Sequence, residues 1–286
     1  MTHRQLIVKQ SEAGTRLDAW LAQRLGYSRE WLASQIREAK VLVDGRAVKP
    51  SFKFTARHTI TLKLQRPTHQ LVPEATPLDI IYQDSELVVL NKPAGVVVYP
   101  AGRHTAGTLA NALADKFSNF YVVHRLDKDT SGVMLVALTP QVAGWLRAAF
   151  KNRQISKTYV AAVRGRVVPT EASLDLPIKR GRAGKFEVHR SGRTAQSRYR
   201  VLGYLTGATW LEVMPESGRT HQIRVHLAAL GHPVLGDTVY GSKTPGLTRQ
   251  FLHASQIEFS DWHGQARRFS TPLPPDLKKF LDDAKR

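Results

Sequence analysis

Cysteine is absent from all 286 residues, which removes disulfides, thiol nucleophiles and cysteine-ligated zinc and fits a reducing compartment. The eleven histidines do not restore a metal site, because no His-Glu-x-x-His or comparable spacing occurs. Neither Gly-x-x-x-x-Gly-Lys-Ser/Thr nor Gly-x-Gly-x-x-Gly is present to cradle a nucleotide, and no Gly-x-Ser-x-Gly elbow points to a serine hydrolase. Long apolar runs are also missing. None approaches the length of a bilayer span, and the start Met1-Thr2-His3-Arg4-Gln5 lacks a secretory apolar core, so the chain is expected to be soluble and cytoplasmic. Acid is scarce: 23 Asp and Glu face 42 Lys and Arg, a net charge of +19. Such a surplus calls for a polyanionic partner, with nucleic acid first, and its self-repulsion favours a monomer. With 42% hydrophobic and 23% charged residues the chain has the composition of a folded protein, so the charge sits on folded surfaces rather than on a disordered tail.

Residues 14–64 read as a small unit of their own. Thr15-x-x-Asp18 is a candidate capping box for a helix carrying Leu17, Trp20, Leu21 and Leu25 on one face. Ser28 can cap a second helix, in which Leu32, Ile36 and Ala39 share a side while Arg29, Arg37 and Lys40 point elsewhere. Asp44-Gly45 between short apolar runs predicts a hairpin, and Ile60 to Leu64 alternate like a half-buried strand. The segment holds ten Lys/Arg against four Asp/Glu. This basic helix pair with a hairpin resembles the alpha-L RNA-binding module of a small-subunit ribosomal protein and of tyrosyl-tRNA synthetase, which makes Arg29, Arg37 and Lys40 candidate RNA-binding residues. A solvated helical face is the plainer alternative. Residues 65–77, with Pro67, Pro73 and Pro77, read as a linker.

Residues 78–280 are rich in strand. Ile80 to Tyr82, Leu87 to Leu90, Val133 to Leu138, Thr158 to Val163, Ser197 to Leu205 and Thr209 to Val213 are short, β-branched or aromatic, and bounded by turns. Thr139-Pro140 caps and opens a helix reaching about Lys151, and Thr220 to Leu230 form another, closed by Gly231. Strand following strand without βαβ alternation predicts an α+β fold whose larger domain is a mixed, mainly antiparallel sheet with flanking helices.

Before the apolar run at Val133 stands His124-Arg125-Leu126-Asp127-Lys128-Asp129-Thr130-Ser131-Gly132. Its composition alone suits a turn. A calcium loop fails at the twelfth position, where Leu138 replaces the glutamate. The segment resembles, almost letter for letter, the signature of the RluA-type pseudouridine synthases. The likeness continues through Asn91-Lys92-Pro93-Ala94-Gly95, Gly107-Thr108-Leu109, Lys157-Thr158-Tyr159 and Gly218-Arg219-Thr220-His221-Gln222-Ile223-Arg224-Val225-His226. It goes on to Gly231-His232-Pro233, Gly236-Asp237, Leu252-His253-Ala254 and Pro272-Leu273-Pro274, covering about residues 14 to 275.

The resemblance implies an isomerase that converts uridine in RNA to pseudouridine without a cofactor or metal. It assigns Asp127 as the nucleophile, acting at the uracil ring or the sugar carbon. It assigns Arg219 as the ion partner of that carboxylate, a placement before a helix start that also suits an anion. Tyr159 is implied as the residue packing on the flipped base, though a lone strand tyrosine is more often core. Arg125 is implied to occupy the space the base leaves; in isolation it equally suits a phosphate contact. His124 is expected to orient the loop. Tyr99, Ser197 and Ser217 depart from the usual residues, with consequences for packing or target preference. Relatives carrying the N-terminal module act mainly on large-subunit ribosomal RNA, which is therefore the expected substrate. Transfer RNA is the second expectation, and a non-catalytic RNA-binding ribosome-assembly factor is the alternative from another class.

Overall fold

The computed structural model describes residues 4–25, 29–64, 71–100, 106–181 and 184–284. The chain divides into two compact units, Met1–Gln70 and Leu71–Arg286.

The first unit opens with a strand that the sequence pattern did not disclose, β1 (Arg4–Ile7), followed by helices α1 (Leu17–Leu25) and α2 (Arg29–Arg37) and strands β2 (Val41–Val43), β3 (Arg46–Ala47) and β4 (Thr59–Leu62). The strands form an antiparallel sheet in the order β1-β4-β2-β3. Asp44 and Gly45 both take positive φ, 48° and 78°, as a two-residue hairpin turn requires. Leu17, Trp20 and Leu21 of α1 meet Leu32 and Ile36 of α2 over Val41, Ile60 and Phe54 in one buried cluster.

The expected capping box does not form from Asp18. Its carboxylate, buried in the first turn of α1, accepts instead from Arg16 (2.8 Å) and Arg29 (3.1 Å), and charge-assisted bonds of this kind outweigh a neutral cap. Ser28, expected to cap α2, lies outside the described residues, as do Pro67 and the first half of the expected linker. Residues 71–77 are irregular but fastened: the Val72 carbonyl accepts from Asn111 Nδ2 (2.8 Å), and the Glu74 carboxylate accepts from the Gly107 amide.

The second unit contains β5 (Ile80–Gln83), β6 (Leu87–Lys92), α3 (Leu109–Lys116), β7 (Tyr121–Val122), β8 (Ser131–Ala137), α4 (Pro140–Lys151), β9 (Ser156–Arg164) and β10 (Glu171–Asp175). There follow β11 (Ile178–Arg180), β12 (Phe186–Val188), β13 (Gln196–Leu205), β14 (Ala208–Pro215), α5 (Gln222–Ala229), β15 (Leu252–Ser260), β16 (Ala266–Ser270) and α6 (Pro275–Ala284). A ten-stranded sheet runs β10-β13-β14-β9-β15-β8-β6-β5, with β16 beside β15 and β7 beside β8. All its pairings are antiparallel except β8 with β15, so the fold is the mixed, mainly antiparallel α+β arrangement expected. Thr139 caps α4 by accepting from the Val142 amide, with Pro140 in the first turn. Among the described residues no helix is long and apolar enough to cross a membrane.

Strand β8 explains why the site has a firm base. Every one of its seven residues is buried. Val133, Leu135 and Ala137 pack with Val142 and Leu146 of α4, while Met134 and Val136 pack with Leu109 and Leu113 of α3. Layers on both faces hold it, as the alternation of strand side chains requires. Truncating a leucine here, such as Leu135, costs about 2–5 kcal/mol. At its start Gly132, at φ 122°, faces Ala254 of β15 across the parallel register. A Cβ on Gly132 would collide with the Ala254 carbonyl, so only glycine lets the two strands approach.

Candidate active site

The polar segment before β8 folds as a turn in which the Thr130 amide donates to the Asp127 carbonyl (3.1 Å). It is fastened on several sides. Lys92, fully buried, donates from Nζ to the carbonyls of Pro93 (2.6 Å), Val96 (2.8 Å) and Lys128 (3.0 Å). Burial lowers the pKa of this ammonium to about 8, and the three carbonyls supply the polar contacts a buried cation requires. Arg249, paired through Nε and Nη2 with Asp276, reaches the Asp129 carbonyl from Nη1 (3.1 Å), and Gln250 Nε2 donates to Thr130 Oγ1 (3.1 Å). Asp129 therefore contributes its backbone to the loop's anchorage. His124 accepts from the Leu135 amide at Nε2 (2.8 Å) and packs on Phe150 with centroids 4.6 Å apart. Burial, aided by Lys157, lowers its pKa to about 3, so it is a neutral structural residue.

This turn delivers Asp127 to a cleft of about 530 Å³, a volume within the range of ligand-binding pockets. Its side chain is 19% exposed and Oδ2 accepts from Arg224 Nη1 at 3.0 Å. Arg224, on α5, is nearly buried and spends its other edge on Asp237: Nε to Oδ2 at 2.6 Å and Nη2 to Oδ1 at 2.9 Å. Asp237 is completely buried and also accepts from the amides of Val239 (2.9 Å) and Tyr240 (3.1 Å). Burial pushes the Asp237 carboxyl up, but the Arg224 guanidinium and these amides outweigh it and hold it below the ordinary carboxylate range. Burial works against the Arg224 cation as well; the bonds to Asp237 and Asp127 prevail and hold its pKa above the ordinary value.

The expectation for Arg219 is therefore corrected: Arg224, five residues on, is the ion partner of Asp127. Helix α5 starts at Gln222 rather than Thr220, after His221 in the left-handed region (φ 57°). That kink sends Arg219 to another wall of the cleft, where its Nε donates to the Thr194 carbonyl at 3.0 Å. Arg224 was already within the matched motif, as was Asp237. The readable signal was the second aspartate, which needs a cation of its own if buried.

Tyr159 of β9 lines the cleft. Burial and the neighbouring charge of Asp127 raise its pKa, keeping the phenol neutral. His221 was not singled out from sequence. Its Nε2 lies 3.9 Å from Asp127 Oδ2, and its Nδ1 shares a 2.8 Å hydrogen bond with the Tyr240 hydroxyl. Arg125 is exposed at the rim of the cleft. Ser197 and Ser217, the departures noted above, both bind the buried amide of Gln222: Ser217 Oγ donates to Oε1 (2.7 Å) and Nε2 donates to Ser197 Oγ (2.9 Å). Oε1 also accepts from the Arg219 amide (3.0 Å), so this network sets the loop before α5. Tyr99, the third departure, is half exposed. In the first unit, Arg29 is engaged by Asp18 and Lys40 by Glu38 (2.7 Å), whereas Arg37 is exposed beside a shallow groove lined by Lys49 and Phe52.

Seven lysine and arginine side chains line the cleft, and Asp127 is its sole carboxylate among the described residues. A strongly positive, half-apolar cleft with one carboxylate in its lining suits a planar base entering from a polyanionic strand.

Comparison with known proteins agrees. Residues 86–229 match the family described as RNA pseudouridylate synthase. A ribosomal large subunit pseudouridine synthase D of Xanthomonas campestris pv. campestris is 38% identical over 97% of this chain and 91% of that protein. The protein of the same description from Nitrosomonas europaea is 37% identical over 97% of this chain and 86% of its own length. The solved structure of human RNA pseudouridylate synthase domain containing 1 covers 71% of this chain and 87% of its own, with 31% identity and a TM-score of 0.61.

Proposed function

Because the chain belongs to the RNA pseudouridylate synthase family and isomerises uridine to pseudouridine in RNA, we propose that Asp127 is its nucleophile and that large-subunit ribosomal RNA is its substrate. The observation that carries the first part is the 3.0 Å pair between Asp127 and Arg224, itself clamped by the buried Asp237. A cation placed there keeps the carboxylate ionised while a base covers it, which nucleophilic attack at the uracil ring or the sugar carbon demands. Tyr159 packs against the flipped base as a neutral phenol, and Arg125 fills the gap in the RNA stack at a cost in unstacking of a few kcal/mol.

The substrate rests on the relatives named for the large ribosomal subunit, whose likeness runs over 97% of the chain and so includes the first unit. In this reading the basic first unit, through Arg29, Arg37 and Lys40, adds affinity for structured RNA, and the protein works as a cytoplasmic monomer. Family membership sets aside the non-catalytic assembly factor. Mapping pseudouridine across total RNA from cells with the protein, without it, and with Asp127→Asn tests both parts. Loss of ribosomal sites in the last two strains is expected. Loss confined to transfer RNA would overturn the substrate, and sites retained with Asp127→Asn would overturn the nucleophile.

A further inference from the structure

Three arginines from separate segments line the cleft without touching Asp127: Arg153 just after α4, Arg193 before β13, and Arg219 before α5. The bond from Arg219 Nε to the Thr194 carbonyl holds its guanidinium next to residue 193. Burial, and then the charges of Arg193 and Arg153, lower the pKa of Arg219, so Arg219 lies within the field of both. Counter-charge is thin. Arg153 binds the neutral amide of Gln196. Its nearest carboxylate, Glu216, lies 4.0 Å away and is taken by Arg198 at 3.1 Å. Among the described residues no carboxylate pairs with Arg193 or Arg219, and Asp127 is engaged by Arg224.

Gathering like charges without a counter-ion is unfavourable, and the loop carrying Arg219 is held rigidly by the buried Gln222. Guanidinium forks gathered beside one anchored arginine match the oxygens of a phosphate, and phosphate contacts set where a strand lies rather than which base is read. We infer that Arg153, Arg193 and Arg219 clamp a backbone phosphate of the RNA strand beside the flipped nucleotide, fixing the register in which a uridine reaches Asp127. This rests on the RNA reading above and gives Arg219 a role separate from the ion pair.

The test uses the full chain and large-subunit RNA extracted from cells lacking the protein. Binding is titrated against salt, and turnover is measured, for Arg193→Gln, Arg219→Gln, the double glutamine variant and the double lysine variant. Because the three arginines hold one phosphate, its loss in the double glutamine variant should reduce the slope of log affinity against log salt by about 0.7–0.9 in all. KM should rise about tenfold per glutamine, the worth of one charged hydrogen bond, with a smaller change in kcat. The lysine pair keeps the charge and should recover most of the slope, an outcome that a merely misfolded loop would not give. A double glutamine variant with the parent slope and KM overturns the clamp, as does a loss confined to kcat. If the parent leaves this RNA unmodified, the ribosomal substrate is what fails, and the salt slopes still decide on the clamp.

Discussion

Each unit buries a carboxylate against arginine, and the two arrangements are inverses of each other. In the first unit one acid, Asp18, is divided between two arginines, Arg16 and Arg29. In the second, one arginine, Arg224, is divided between two acids, Asp127 and Asp237. The first ratio leaves positive charge over, which suits a surface that meets a polyanion. The second leaves a carboxylate over, and that carboxylate faces the cleft. The ratio of partners, more than the presence of an ion pair, separates the pair that is fully committed to the fold from the one that presents a carboxylate to the cleft.

The comparison breaks most decisively at Asp127. Asp127→Asn should abolish pseudouridine formation, measured by mass spectrometry of digested RNA, while costing little stability because Arg224 keeps Asp237; a large fall in melting temperature would put Asp127 with the architectural acids. Asp237→Asn should do the opposite in part. Removing one partner of a buried pair destabilises by about 3–5 kcal/mol, so the urea midpoint should fall and activity with it. An unchanged midpoint would show that Asp237 does not hold Arg224. Deleting residues 1–70 should weaken binding to large-subunit RNA about tenfold or more and flatten its salt dependence, and equal affinity across a salt series would deny the first unit its RNA role. The smallest effect belongs to Asp18. Hydrogen bonds from Arg16 first, and then from Arg29, lower its pKa from 3.8 to about 2. The stability it contributes is therefore complete above about pH 4 and is lost as pH falls toward 2. Hydrogen-exchange protection of Leu17–Leu25 should fall over that window, and Asp18→Asn, costing about 1–3 kcal/mol, should remove the effect.

Local patterns were legible where one residue pair decides the geometry. Asp44-Gly45 announced its hairpin and Thr139-Pro140 its helix, because positive φ and an N-cap are properties of the residues themselves. Strands β10, β11, β15 and β16 and helix α6 escaped, because mixed polar segments acquire their pairing from neighbours distant in sequence. Helix α3 was matched as a motif without being read as a helix, although Thr108 and Asn111 do form a reciprocal cap there. At the site, the likeness pointed to Asp127 and Tyr159, both of which line the cleft, but it chose between two arginines five residues apart by their place before a helix. The left-handed His221 reversed that choice, and no periodicity announces a single residue in that conformation. The pairing of Arg224 with Asp237 spans 13 residues and belongs to tertiary structure.

The buried ammonium of Lys92, with its three carbonyl acceptors on two loops, has a kinetic meaning as well. A turn fastened by Lys92, Arg249 and Gln250 has little freedom left to surrender when RNA arrives. With the nucleophile proposed above already in place before encounter, the rearrangement that precedes chemistry falls on the nucleic acid. Uridines in strained, mismatched or already unstacked positions then react first, so the enzyme selects among sites in part by how readily the RNA lets go of a base.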